Sequence, residues 1–173
     1  MPTIGPMIAA SARLGVGYAQ RLLQDVQPTQ FARFAEVEST TIHSNHPAFI
    51  CGHLSIYAPN IIEQLGGEVS ELKPSATFLK LFSKDAECVD DPDGSIFPEM
   101  NVIVDALIHG YSQAADALEQ APDSLFHEVN PHEAMRAKFP TIGAMHAFYV
   151  GGHFMFHMGQ FSAWRRTAGL GPA

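Results

Sequence analysis

The feature that most constrains the fold is a long uncharged segment near the carboxyl end of the chain. From Phe139 to Trp164 no residue carries a formal charge. A stretch of this length is long enough to suggest a membrane span, but it contains Pro140, three histidines and four glycines. Because polar groups are costly inside a bilayer, we predict a helix buried within a helical fold, and no membrane association.

Hydrophobic periodicity predicts four long helices, over residues 6–25, 46–64, 98–120 and 141–168. In the first of them, Leu14, Tyr18 and Leu22 recur at helical spacing. The second begins at Pro47, capped by Asn45 or His46. Pro59 interrupts that helix and predicts a kink one turn earlier, near Ser55.

The connections between the long helices are rich in turn residues. Residues 74–83 predict a short helix ahead of an acidic surface loop, and residues 122–140 allow one further turn. Patterns typical of strands are nearly absent. The fold class predicted is therefore all-α, a four-helix bundle with short helices in its connections, forming one domain over residues 1–173.

Composition excludes several classes of function. Hydrophobic residues make up 46% of the chain and charged residues 16%, which favours a packed core over disorder. The net charge is −8, and no basic cluster exceeds Arg165-Arg166, so we expect no binding to nucleic acid. Cys51 and Cys88 form no metal-binding or disulfide pattern, and the amino-terminal residues do not resemble a signal peptide. A cytoplasmic location is the expectation.

Two histidines in the last predicted helix have the spacing of metal ligands. His153 and His157 are four residues apart, so their imidazoles lie on one helix face with Cβ atoms about 5–6 Å apart. The same spacing occurs in the HExxH motif of metalloproteases. Here Phe154 stands where that motif has its glutamate, so a protease is excluded. The surrounding phenylalanines predict a buried pair, and a shared cation would satisfy its ring nitrogens.

His53, on the apolar face of the second predicted helix, is the third candidate ligand. Three protein ligands that leave a coordination position free are typical of reactive metal sites. The alternative is a core histidine that bonds to a carbonyl group or to water.

The remaining histidines are weaker candidates. His46 and His146 lie seven residues before His53 and His153 on the same predicted faces, about 10.5 Å away along a helix. They are candidates for lining the pocket or for supporting the ligands, not for binding the ion. No Glu-x-x-His motif occurs, which argues against a di-metal centre. Surface exposure is expected for His109, His127 and His132, and the position of His43 stays open.

Two segments resemble the DinB/YfiT-like superfamily. Residues 45–54, NHPAFICGHL, are similar to its second helix, whose GHL sequence carries a metal-binding histidine at the position of His53. Residues 153–160, HFMFHMGQ, followed by WRRTAGL at 164–170, are similar to its last helix, and residues 81–99 resemble the lead into its third. Apolar residues at 154, 155, 156 and 158 depart from the family pattern and suggest a more buried site or a dimer face.

The resemblance implies a four-helix bundle with one long connection, a three-histidine site for nickel or zinc, and a homodimer. Family members include transferases and isomerases that use small thiols, so a small-molecule or thiol substrate is expected. Three hypotheses stay open: a metal-dependent hydrolase or thiol transferase, a non-catalytic stress-response bundle that binds a metal or small molecule, and a metal-free bundle with polar core histidines.

Overall fold

The computed structural model describes residues 2–173 and is predominantly helical, with one small antiparallel sheet. In chain order its elements are α1 (Ile4–Leu23), α2 (Pro28–Phe31), β1 (Ala35–Val37), β2 (Thr40–Ile42), α3 (Pro47–Ser55), α4 (Ala58–Gln64), α5 (Ala76–Phe82), α6 (Met100–Gln120), α7 (Asp123–Phe126), a 3-10 turn (Glu133–Met135), α8 (Ile142–Ala147), a π-helical segment (Phe148–His153) and α9 (Phe154–Thr167).

One continuous core lies between the long helices. α1 packs along α6, α6 also packs on α3 and α4, and α9 packs on both α1 and α3. Tyr111 of α6 and Phe154 of α9 meet in this core, with their ring centroids 4.7 Å apart. Among residues 2–173, no helix combines the length and the apolar character needed to cross a bilayer.

The buried face of α1 differs from the predicted apolar stripe. Leu22 is buried, but Leu14 and Tyr18 are 58% and 38% exposed. The buried positions instead carry mostly small residues, because α1 lies close to its neighbours: a Cβ on Gly15 would be 2.8 Å from the Phe154 ring. Periodicity found the helix, but of its three larger apolar residues only Leu22 lies on the buried side.

The predicted second helix is interrupted just before Pro59, close to the predicted kink. α3 ends at Ser55 and α4 begins at Ala58, so Pro59 takes an early position in a new helix. His46 is the N-cap of α3, and its Nδ1 accepts a hydrogen bond from the Phe49 amide at 3.2 Å. All nine residues of α3 are buried, which places His53 inside the core.

The last predicted helix is not uniformly α-helical. Its middle, Phe148–His153, forms a π-helical segment between α8 and α9. Gly151 and Gly152 lie within this segment, and adjacent glycines weaken the local preference for the α form. π-helical turns are rare and are frequently found at functional sites. The helix ends at Thr167, and Gly169 has a φ of +80°, as expected for a glycine that follows a helix.

Strands are nearly absent from residues 2–173, as predicted, and the one short sheet was not located from the sequence. β1 and β2 pair antiparallel, with Ala35 opposite Ile42 and Val37 opposite Thr40. Glu38 and Ser39 form the two-residue turn, and both have positive φ. Their identities differ from the Asn-Gly or Asp-Gly sequences that signal such a hairpin, and three-residue strands are too short for a reliable alternating pattern.

Candidate metal centre

The structure brings the three predicted ligands together. His53 belongs to α3, His153 ends the π-helical segment and His157 lies one α-turn later in α9. One ring nitrogen from each lies within 4.8 Å of the other two. His53 and His157 are 7% and 8% exposed, and His153 is partly buried. The cluster is thus near the surface but largely withdrawn from water, close enough to hold a metal ion.

Hydrogen bonds fix the tautomers of two of these imidazoles. The Nδ1 of His53 lies 2.8 Å from the Phe82 carbonyl oxygen, and the Nδ1 of His157 lies 2.8 Å from Oε1 of Gln160. Since both partners accept, each Nδ1 carries the proton and donates it. The lone pair of each ring is therefore on Nε2, the tautomer suited to binding a cation there.

Gln160 connects His157 to the loop before α3. Its Oε1 accepts from His157 and also from Nδ2 of Asn45, at 3.3 Å. Gln160 follows His157 by three residues, so it lies on the same helix face. This spacing is a sequence signal that marks Gln160 as a candidate to orient His157, beyond its place in the HFMFHMGQ segment.

Replacing Gln160 with leucine is expected to weaken metal binding about 10- to 100-fold, because His157 loses the acceptor that orients it. A chelator-competition titration measures this change. Gln113→Leu is the matched control, since Gln113 also contacts a histidine, His109, on an exposed face of α6. An affinity equal to that of the parent in Gln160→Leu would contradict the orienting role.

Two tyrosines pack beside the ligands and were missed from sequence. The Tyr57 hydroxyl lies 3.5 Å from Nε2 of His53, and its ring contacts His153 with centroids 4.8 Å apart. Tyr149 stacks on Tyr57 at 4.9 Å and meets His153 edge-on at 5.7 Å. Tyr57 is four residues after His53 and Tyr149 four before His153, so helical spacing could have drawn attention to both.

The electrostatic surroundings keep the imidazoles neutral. Burial, together with smaller effects of the neighbouring His157 and His53, lowers the pKa of His153 to about 4. Burial also lowers the pKa of His53 and of His157. No carboxylate acts on any of the three within the described chain. Neutral imidazoles are the form that binds metal ions.

The outer edge of the centre is apolar. Phe148 and Phe156 are 36% and 64% exposed, and their rings lie 5.7 Å from His153 and 5.4 Å from His157. Phe154, in contrast, is completely buried in the core. Of the apolar residues that depart from the family pattern, Phe154 and Met158 therefore pack in the core, whereas Met155 and Phe156 lie at the exposed edge of the centre.

Neither His46 nor His146 is hydrogen-bonded to a ligand histidine, but His146 lines a small cavity beside the centre, as one of the two predicted roles has it. His46 donates from Nε2 to the Val89 carbonyl at 2.9 Å while Nδ1 caps α3, so it joins the acidic loop to the helix. His146 is 1% exposed, and neither of its ring nitrogens has a hydrogen-bond partner. As predicted, the remaining helix and loop histidines are exposed: His109, His127 and His132.

Acid should destabilise the metal-free protein partly through His146. Burial lowers the pKa of His146 to about 4 from the ordinary 6.5, so below pH 6.5 the unfolded chain takes up a proton that the folded chain does not. Above pH 6.5 this difference in proton uptake does not affect the free energy of unfolding. Between pH 6.5 and pH 4 it lowers the free energy of unfolding by up to about 1.4 kcal/mol per pH unit. Urea unfolding with a chelator, at pH 7 and pH 5, should show a larger loss in the parent than in His146→Leu. Equal losses would contradict this assignment.

Two clefts of about 690 Å³ each lie away from the three histidines. One of them is formed by α4, α6 and residues 71–78, and it contains no cluster of metal-ligating groups. Neither thiol joins the metal centre: Cys51 is fully buried, which raises its pKa, and burial raises that of Cys88 to about 11. Comparisons with protein-family models, curated proteins and solved structures find no match to this chain.

Proposed function

We propose that this protein binds one divalent transition-metal ion through His53, His153 and His157 and uses it in hydrolysis or thiol transfer. The observation that carries the proposal is the convergence of the three imidazoles within 4.8 Å. A tetrahedral zinc ion with Zn–N bonds of about 2.0–2.1 Å requires nitrogens about 3.4 Å apart. Modest rotations of the imidazole rings would bring the nitrogens from within 4.8 Å to this shorter separation. Nickel or zinc suits ligation by imidazoles alone.

The charge of the site supports a bound anion in the free coordination position. Three neutral imidazoles contribute no charge, and no carboxylate of residues 2–173 acts on them. A divalent ion in such surroundings lowers the pKa of bound water toward about 7 or stabilises a thiolate. Hydroxide would serve hydrolysis, and thiolate would serve group transfer.

Tyr57 is the protein residue placed to act on that group. Without an ion, its hydroxyl is a donor within 3.5 Å of the His53 Nε2 lone pair. If Nε2 held an ion, the Tyr57 hydroxyl would be free to donate a hydrogen bond to a group beside His53. Tyr57 would then orient the nucleophile or a substrate oxygen. Exposed Phe148 and Phe156 favour a substrate with an apolar portion at the outer edge.

Membership of the DinB/YfiT-like superfamily, a four-helix bundle and a homodimer are parts of the same proposal. The order of the NHPAFICGHL and HFMFHMGQ segments along the chain supports the family. Exposed Met7, Leu14 and Tyr18 share one face of α1 and are suited to a dimer contact, which sedimentation would detect. Cys51 and Cys88 are both free, which agrees with a reducing, cytoplasmic location.

A non-catalytic role in binding a metal or small molecule is the second candidate. The described residues place no carboxylate beside the ligands to act as a general base. An ion-bound hydroxide needs less help of that kind, so catalysis remains the first proposal.

Elemental analysis of the purified full chain tests the proposal. We expect about one nickel or zinc ion per chain, as one three-histidine site provides. The metal-loaded protein is then assayed against ester, amide and thiol-transfer substrates, beside the chelated protein. Stoichiometric metal without any metal-dependent turnover would favour the binding role. Absence of bound metal would overturn both the catalytic role and metal binding, and would leave only the binding of a small molecule.

A further inference from the structure

A small cavity adjoins the metal centre on the side of the two tyrosines. It has a volume of about 150 Å³ and lies between α4, α8, the π-helical segment and the connection before α8. Tyr57 and Tyr149 line it, and these two rings also contact His153. A cavity of this volume accommodates a single ring the size of benzene.

Two residues that line the cavity carry buried polar atoms without a hydrogen-bond partner in the protein. His146 lines it, is 1% exposed and has neither ring nitrogen hydrogen-bonded. His46 is equally buried, yet both of its nitrogens are bonded. Oε1 of Gln64, another lining residue, is likewise buried without a partner. Buried polar groups normally have partners, so these atoms point to a ligand with hydrogen-bonding capacity.

The other lining groups specify the character of that ligand. Two tyrosine rings offer aromatic contacts, and the thioethers of Met135 and Met145 suit an aromatic edge. No Asp, Glu, Lys or Arg lines the cavity. Burial lowers the pKa of His146 to about 4, so at neutral pH its ring is an uncharged group with one donor and one acceptor. A charged ligand would lose its hydration without compensation.

We propose that this cavity binds an uncharged aromatic ring bearing a hydroxyl group, and that the hydroxyl pairs with His146. A hydroxyl both donates and accepts, which matches either nitrogen of a neutral imidazole. Assigning this ring to the substrate of the metal centre rests on the proposed function, and Tyr57 and Tyr149 are the residues that join the two compartments.

Phenol, benzene and benzoate are the probes, tested by calorimetry and by NMR of the histidine ring protons in the full chain treated with a chelator. For seven non-hydrogen atoms we expect phenol to bind with a Kd of roughly 0.1–1 mM. Benzene, which lacks the hydroxyl, should bind about 10-fold more weakly because it leaves His146 unpaired. Benzoate should not bind. Phenol should shift the ring protons of His146.

His146→Leu is the variant that isolates the hydrogen bond. It should lower phenol affinity about 10-fold and leave benzene affinity equal or higher. His127→Leu, at an exposed position, should change neither. If His146→Leu does not fold, as judged by circular dichroism, His146→Gln and the His146 ring-proton shift in the parent provide the test.

Three results would overturn the proposal. Absence of phenol binding would mean that the cavity holds water only. Equal affinities for phenol and benzene in the parent would mean unspecific apolar binding. Phenol binding that appears only when metal is added back, and that is lost in His157→Ala, would place the phenol on the ion. Because the measurement uses metal-free protein, its failure leaves the metal content, and hence the proposed function, separately testable.

Discussion

Replacing His53 with alanine is expected to abolish stoichiometric metal binding. His53 supplies one of three nitrogens that converge within 4.8 Å, and it is the only one contributed by α3. The affinity should fall by more than the roughly 10- to 100-fold typical of removing an orienting residue. At free metal about 1,000 times its Kd, the ion stabilises the parent by about 4 kcal/mol. This corresponds to a Tm increase of roughly 8–16 °C, which the variant should lack.

His153→Ala and His157→Ala should behave like His53→Ala in metal content and in the Tm increase. His109→Ala is the matched control, because His109 is an exposed histidine on α6 and should retain both properties. Chelation of the parent should reproduce the variants. Parent-like affinity in any one of the three variants would remove that residue from the ligand set.

Replacing Gly52 with alanine should destabilise the fold strongly. A Cβ at this position would lie 2.4 Å from two atoms of the Phe82 ring, which is completely buried. The ring cannot move freely because it packs on Phe97 and Phe78. We expect a loss of about 1–3 kcal/mol, or roughly 2–12 °C in Tm. Metal binding should also weaken, because the Phe82 carbonyl holds Nδ1 of His53.

Gly17→Ala is the control for Gly52→Ala. Gly17 lies inside α1, and a Cβ there would meet no atom within 4 Å. The same chemical change should therefore stabilise the protein, by roughly 0.5–1 kcal/mol through helix propensity. Chemical denaturation of the two variants and the parent measures the expected loss of stability in Gly52→Ala and the expected gain in Gly17→Ala. A neutral Gly52→Ala would contradict the close approach of α3 and α5.

Local signals explain which parts of the fold could be predicted. Pro47 and Pro59 act on the backbone of their own helix, so the start of α3 and the break before α4 are readable from sequence. The burial of α1 depends instead on how closely α6 and α9 approach it. Leu14 and Tyr18 are more hydrophobic than glycine or alanine, but only small residues fit that contact.

The same distinction applies to the site. The pairing of His153 with His157 follows from helix geometry alone, whereas their meeting with His53 depends on tertiary packing. The Phe82 carbonyl that orients His53 is a backbone atom, and no side-chain pattern marks it. Tyr57 and Tyr149 had usable helical spacing, but aromatic residues at such positions are usually ordinary core.

The π-helical segment has a consequence for how one helix serves two compartments. In an uninterrupted α-helix, His146 and His153 would face nearly the same direction, since seven residues make almost two full turns. A wide turn accommodates about one extra residue, which offsets the angular phase of everything after it by roughly 100°. His153 accordingly joins His53, while His146 lines the neighbouring cavity. The length of Phe148–His153 thus sets the angle around the helix axis between His146, at the small cavity, and His153, at the metal centre. A single-residue deletion there would rotate one of these histidines away from its site.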